Sequence, residues 1–115
     1  MIEYKPSFRK ISGKIVARSD LSGTYKMDTD GYCLDTKPYL FCHRSPDNDK
    51  RWNVTHTISG LRILHNLKSR KIALKHMSLL LEYDIPWEQD AEAVARHEEA
   101  ANICRRHQKQ AELEV

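Results

Sequence analysis

At 115 residues, with 40% hydrophobic and 30% charged side chains, the chain has the composition of one globular domain with a single core. No apolar run approaches the roughly 18 residues that a membrane span requires, and the opening MIEYKPSFRK lacks the apolar stretch of a secretion signal. The expectation is a cytoplasmic protein with no membrane partner. Cys33, Cys42 and Cys104 are odd in number and irregular in spacing, which argues for reduced thiols rather than a disulfide framework.

The net charge of +3 conceals a segregated pattern. Residues 1–27 carry +4, 28–42 carry −2, 43–76 carry +6, 77–100 carry −6 and 101–115 carry +1. A basic middle followed by an acidic stretch implies either an anionic partner for the middle or mutual neutralisation of the two.

In chain order, turn-like clusters punctuate the first half: Ser12-Gly13, Ser22-Gly23, Asp28-Thr29-Asp30-Gly31, Ser45-Pro46-Asp47-Asn48-Asp49 and Ser59-Gly60. The runs between them are rich in Ile, Val, Tyr, Thr and Phe and predict an antiparallel sheet. The strands are Lys14 to Arg18, Thr24 to Met27, Tyr32 to Asp35, Tyr39 to Arg44, Trp52 to Ile58 and Leu61 to Asn66. With Ser59-Gly60 as a two-residue turn, Ile58 faces Leu61, His56 faces Ile63 and Val54 faces His65. Side-chain alternation then makes Trp52, Val54, His56, Ile58, Leu61, Ile63 and His65 a core face. It leaves Asn53, Thr55, Thr57, Arg62, Leu64 and Asn66 on a solvent face.

After the hairpin the period changes from 2 to 3.6. Ser69 stands as a cap, with Ala73, Met77, Leu80 and Leu81 as the buried stripe of a helix from Ser69 to Tyr83, and Lys71, Lys75 and Ser78 on another side. Pro86 suits the first turn of a second long helix that runs to about Glu112, with Glu92 and Arg96 at ion-pair spacing. Its apolar line of Ala91, Val94, Ala95, Ala101, Cys104 and Ala111 is thin. It leaves three options open: docking on the sheet, protruding, or a homodimer through Val94, Ala101 and Cys104.

Six histidines and three cysteines invite a metal site, with His56, His65, Cys42 and His43 the most convergent and Cys104 and His107 neighbours on a helix. Buried Cys and hydrogen-bonded core His account for the same residues, so neither a metal nor another cofactor is expected. His97-Glu98-Glu99-Ala100-Ala101 opens like a helical zinc-protease motif but has Ala101 where the second His must stand. Asp28-Thr29-Asp30-Gly31 opens like a calcium loop but lacks the downstream ligands, and reads as a hairpin turn. With no phosphate loop and no nucleophile elbow, the chain is expected not to be an enzyme.

What remains is binding. Asn53, Thr55, Thr57 and Arg62 on the solvent face, Lys50 and Arg51 where the ribbon begins, and Lys68, Arg70, Lys71 and Lys75 beyond it form a basic hairpin–helix junction. Amide, hydroxyl and guanidinium groups can contact base edges while lysines neutralise phosphates, which points to a nucleic-acid partner.

Tyr39 to Arg44, Trp52 to Ile58 and Leu61 to Asn66, followed by Lys68-Ser69-Arg70-Lys71-Ile72-Ala73-Leu74, resemble the strand–strand–strand–helix order of the arm-site-binding domains of phage-type tyrosine recombinases. The resemblance implies a sheet laid in a DNA major groove, with Arg62, Thr55 and Thr57 as groove residues. The strands before this unit and the helix after it depart from that pattern. The whole also resembles small phage and prophage proteins, a class that includes host-defence inhibitors of the anti-CRISPR kind.

The expectation is therefore an α+β fold. Residues 1–85 would form an antiparallel sheet of four to six short strands with one packed helix, and 86–115 a C-terminal helix of the same domain. The function expected first is a non-catalytic nucleic-acid-binding accessory protein. The alternative is a protein-binding inhibitor of a host factor, using Glu88, Asp90, Glu92, Glu98 and Glu99 of the acidic helix as its contact surface.

Overall fold

The computed structural model describes residues 7–19 and 23–114. Five strands, β1 (Phe8–Ser19), β2 (Gly23–Leu34), β3 (Lys37–Arg44), β4 (Trp52–His56) and β5 (Arg62–Leu67), pair in sequence order as an antiparallel meander. Three helices follow, α1 (Arg70–Leu81), α2 (Ala91–Arg96) and α3 (Ala100–Leu113), so the α+β expectation is met.

The first hairpin is longer than the punctuation implies. Ser12-Gly13 and Asp28-Thr29-Asp30-Gly31, read above as turns, lie inside β1 and β2 and pair with each other as Ser12 with Asp30 and Gly13 with Thr29. Polar residues alternate there with Ile11, Ile15 and Met27, so the stretch is a strand with one wet face and not a break. Only Gly31 to Leu34 of β2 pairs with β3, which leaves the rest of the hairpin as an arm beyond the sheet.

That arm curls. The Val16 amide donates to the Gly60 carbonyl at 2.9 Å, tying the far part of β1 to the turn before β5. Gly60 has φ +74°, and a Cβ there would stand 3.0 Å from the Lys14 carbonyl oxygen, so both its conformation and the contact require glycine. Under the arm lies a small second core of Ile15, Cys33 and Phe41, backed by Ile11 and Met27.

The main core sits on the other face of the sheet. Ser69 caps α1 by accepting from the Ile72 amide, and Ala73, Met77, Leu80 and Leu81 point at Leu40, Val54, Leu64 and Leu67 as the helical period requires. Met77 and Leu80 are fully buried, each contributing about 1.5–3 kcal/mol of apolar transfer. Trp87 closes the far end, its indole donating to the Leu80 carbonyl at 2.9 Å and its own carbonyl accepting from His56 Nε2 at 2.7 Å.

The expected second long helix is two helices. Pro86 lies in the loop before them, and Asp90 caps α2 by accepting from the Ala93 amide. Val94 and Ile103 are nine residues, about two and a half helical turns, apart, so a continuous helix would point them in opposite directions. The break at His97–Glu99 lets both enter the main core, together with Ala100 and Ala111. Val94 and Cys104, proposed above as dimer residues, thus pack inside their own chain, while Ala95 and Ala101 face solvent. Of the three options, α3 takes the docked one, on β5 and α1.

Candidate nucleic-acid interface

The hairpin register differs from the one expected. Val54 pairs with Leu64 and Thr55 with Arg62, with irregularities on either side of Val54, and β4 ends at His56. Leu64 therefore belongs to the core and His65 to the surface. Asn66, at φ +59°, accommodates the irregularity, its amide donating to Asn53 Oδ1 at 2.9 Å.

The predicted solvent face is consequently not one surface. Asn53 and Thr55 are 4% and 1% exposed, because the curled arm covers that side of the sheet. Thr55 Oγ1 lies 2.6 Å from His43 Nε2, and the other ring nitrogen of His43 lies 2.8 Å from the Arg44 carbonyl, so Nδ1–H donates to that carbonyl and the Thr55 hydroxyl donates to Nε2. Burial holds the His43 pKa below its ordinary value, partly opposed by the Arg44 carbonyl, which fits a neutral ring in those roles. The Thr57 hydroxyl donates to the Pro38 carbonyl. These three polar side chains spend their hydrogen bonds on the fold, which removes them as base-contacting residues, including Thr55 and Thr57, two of the three that the recombinase resemblance implied. Arg62 is exposed, on a concave cup of about 490 Å³ that it shares with Asp47, Thr24 and Leu61.

The remaining junction cations are dispersed. Lys50 and Arg51 belong to the β3–β4 loop, Lys68 and Lys71 are exposed around the start of α1, and Lys75 is paired with Glu114 at 2.7 Å. Arg70 alone of the predicted set enters a different grouping. On the helix-bearing face, between the first turn of α1 and the β1–β2 arm, a groove of about 700 Å³ is lined by Lys10, Asp30, Tyr32, Arg44, Trp52 and Arg70, among others.

Each residue reaches this groove for a local reason. Arg44 and Trp52 are cross-strand partners at the ends of β3 and β4, which puts the Arg44 guanidinium over the Trp52 ring at 4.8 Å from its centroid. Arg44 Nη1 also donates to the Asp49 carbonyl at 2.6 Å, fixing the guanidinium from the loop side. Tyr32 pairs across to Cys42 on β3 and to Lys10 on β1, and the first residue of α1, Arg70, lies over its ring at 4.8 Å. The groove thus holds three cations, two arginine-topped aromatics and one acid, Asp30. Sequence reasoning missed Lys10, Tyr32, Arg44 and Trp52, although Arg44 and Trp52 flank a loop of strong turn residues and so could have been paired across it.

The five acids of the alternative reading, Glu88, Asp90, Glu92, Glu98 and Glu99, are all exposed on and around α2. Asp90 is used as the cap of α2, and Glu92 pairs with Arg96 at 2.7 Å. Among the described residues, no group of three or more His, Cys, Asp or Glu side chains is placed to hold a metal ion, and none of the helices is long and apolar enough to cross a membrane. Comparison with known proteins finds no matching family model, curated protein or solved structure.

Proposed function

We propose that the protein is a non-catalytic nucleic-acid-binding protein whose contact surface is the groove of Lys10, Tyr32, Arg44, Trp52 and Arg70. The observation that carries this reading is the pair of guanidinium groups seated on aromatic rings within one groove, beside a third cation. Arginine is weakly hydrated, always charged and able to bind phosphate with two parallel hydrogen bonds, and an arginine held against a ring loses less entropy on binding. Asp30 opposes anions but can accept hydrogen bonds from base amino groups.

The test compares variants on the two faces of the sheet by fluorescence anisotropy with labelled oligonucleotides. Arg44→Ala/Arg70→Ala is expected to weaken binding at least tenfold, and Arg62→Ala on the opposite cup to change it less than twofold. The reverse pattern would transfer the function to the cup.

A protein-directed inhibitor remains the second reading, supported by the exposure of Glu88, Glu98 and Glu99 around α2. It predicts loss of a protein partner on replacement of these three by Gln, with oligonucleotide binding absent.

A further inference from the structure

Resting on the nucleic-acid reading, we infer that the groove selects single-stranded nucleic acid, and that it does so by stacking unpaired bases on the Arg44–Trp52 and Arg70–Tyr32 platforms.

Strand register sets the distance between the platforms. Tyr32 on β2 is level with Cys42 of β3, and Trp52 on β4 is level with Arg44, two residues further along β3. Two strand spacings of about 4.8 Å across and two residues of about 3.4 Å along separate the two aromatic positions by roughly 12 Å. Stacked bases in a duplex follow one another at about 3.4 Å. No two neighbouring bases of a duplex can therefore occupy both platforms, and a duplex presents only base edges to a protein. A single strand can splay its bases apart and lay them on aromatic rings or guanidinium planes, which is how unpaired RNA and DNA are held elsewhere.

The size and position of the groove agree with this. About 700 Å³ suits a small ligand or a few unpaired residues rather than the body of a double helix. The concavity is bounded on one side by the arm and on the other by the first turn of α1, where Arg70 sits. Lys10, opposite Tyr32 on β1, lies beside the second platform, where the backbone phosphate of a base stacked there would run.

Both guanidinium groups are already placed in the free protein. Arg44 is held on its ring by the Asp49 carbonyl, and the Arg70 backbone is set by the Ser69-capped first turn of α1, with its guanidinium over the Tyr32 ring. Trp52 is half-buried at the groove, whereas the other tryptophan, Trp87, is 2% exposed in the core, so tryptophan quenching on binding reports on Trp52.

The experiment uses the full chain with a fluorescein-labelled mixed-sequence oligodeoxynucleotide, the same oligonucleotide annealed to its complement, and the RNA version of each. Anisotropy gives affinity and intrinsic tryptophan emission gives stacking. The expected result is at least tenfold tighter binding of the single strands than of the duplexes, with quenching that Trp52→Phe removes. Arg44→Lys keeps the charge but not the planar guanidinium, and is expected to cost roughly 5- to 150-fold, the range of one stacking contact. Lys109→Ala on α3 is the control, and circular dichroism establishes that each variant folds. Duplex binding as tight as single-strand binding, without quenching, would overturn the inference and leave the nucleic-acid reading standing. Binding to neither form would overturn both.

Discussion

His76 and His107 face each other across α1 and α3 with their Nδ1 atoms 2.9 Å apart, at 1% and 4% exposure. One Nδ1 must donate and the other accept, and the flanking groups fix the direction. Arg106 donates to the Tyr83 hydroxyl, Tyr83 donates to His107 Nε2, His107 Nδ1–H donates to His76 Nδ1, and His76 Nε2–H donates to Glu114, which also accepts from Lys75. With both rings neutral, all four imidazole nitrogens have a hydrogen-bond partner. Protonating both would set two N–H groups against each other in a buried space.

Acid lability is the first consequence. Burial chiefly, then His76 and Arg106, hold the His107 pKa below its ordinary value of 6.5. The unfolded chain thus binds protons that the folded chain refuses, and stability is lost as pH falls from about 6.5 towards the lower folded value. His43 adds to the loss in the same window, and Glu114, held below its ordinary 4.5 mainly by its hydrogen bond to Lys75, extends it to lower pH. Urea unfolding between pH 8 and 4 should give a midpoint that is flat above pH 7 and falls below it. His107→Gln should flatten part of that fall, at a cost of about 1–3 kcal/mol for a disrupted buried hydrogen bond.

Gly31 should tolerate no side chain. A Cβ there would clash with the Cys42 carbonyl oxygen, a backbone atom that cannot move without breaking the β2–β3 ladder. Gly31→Ala should cost about 3 kcal/mol or more. Gly23→Ala, which meets nothing within 4 Å but has φ +78°, should cost only about 1–2 kcal/mol of backbone strain. Equal losses from the two would mean that the arm does not join the sheet as described.

Much of this fold was legible in the sequence where one periodicity ruled. The α1 stripe and its Ser69 cap were readable because 3.6-residue spacing and a capping side chain agree, and the Ser45–Asp49 turn was readable from its composition; Ser59-Gly60 marked the place of the next turn but not its length, which is the five residues 57–61. The inserted turns in β1 and β2 were misread because Ser-Gly and Asp-Thr-Asp-Gly are turn-prone locally, while cross-strand pairing over twelve residues overrode that preference. Asn53 and Thr55 were misread because alternation names the two faces of a strand but not what covers the second one; the covering arm comes from residues some forty positions earlier in the chain. The groove shared that fate: its cations come from β1, β3 and α1, and only register brings them together.

Gln108 guards the exposed edge of the sheet. Its side-chain amide accepts from the His65 amide at 3.0 Å and donates to the His65 carbonyl at 2.9 Å, standing in for a sixth strand beside β5. Gln108→Ala should cost about 0.5–1.5 kcal/mol and raise concentration-dependent self-association, measured by light scattering, because an open edge templates pairing between chains.

Trp87 joins α1 to β4 through both its indole and its carbonyl. Trp87→Phe should cost about 2 kcal/mol from the lost indole hydrogen bond and volume, and Trp87→Ala about 3–5 kcal/mol in urea unfolding. A loss under 1 kcal/mol for Trp87→Ala would place that side chain outside the core.

The salt dependence of oligonucleotide affinity probes the groove most directly. Single strands release about 0.7 counterion per phosphate neutralised, so with Lys10, Arg44 and Arg70 as contacts, log Kobs against log salt should fall with a slope of about −2. In Lys10→Ala/Arg44→Ala/Arg70→Ala, with its fold intact, the slope should approach zero and binding should be nearly lost. An unchanged slope in that variant, or no binding by the wild-type protein at low salt, would contradict a nucleic-acid-binding role for this groove.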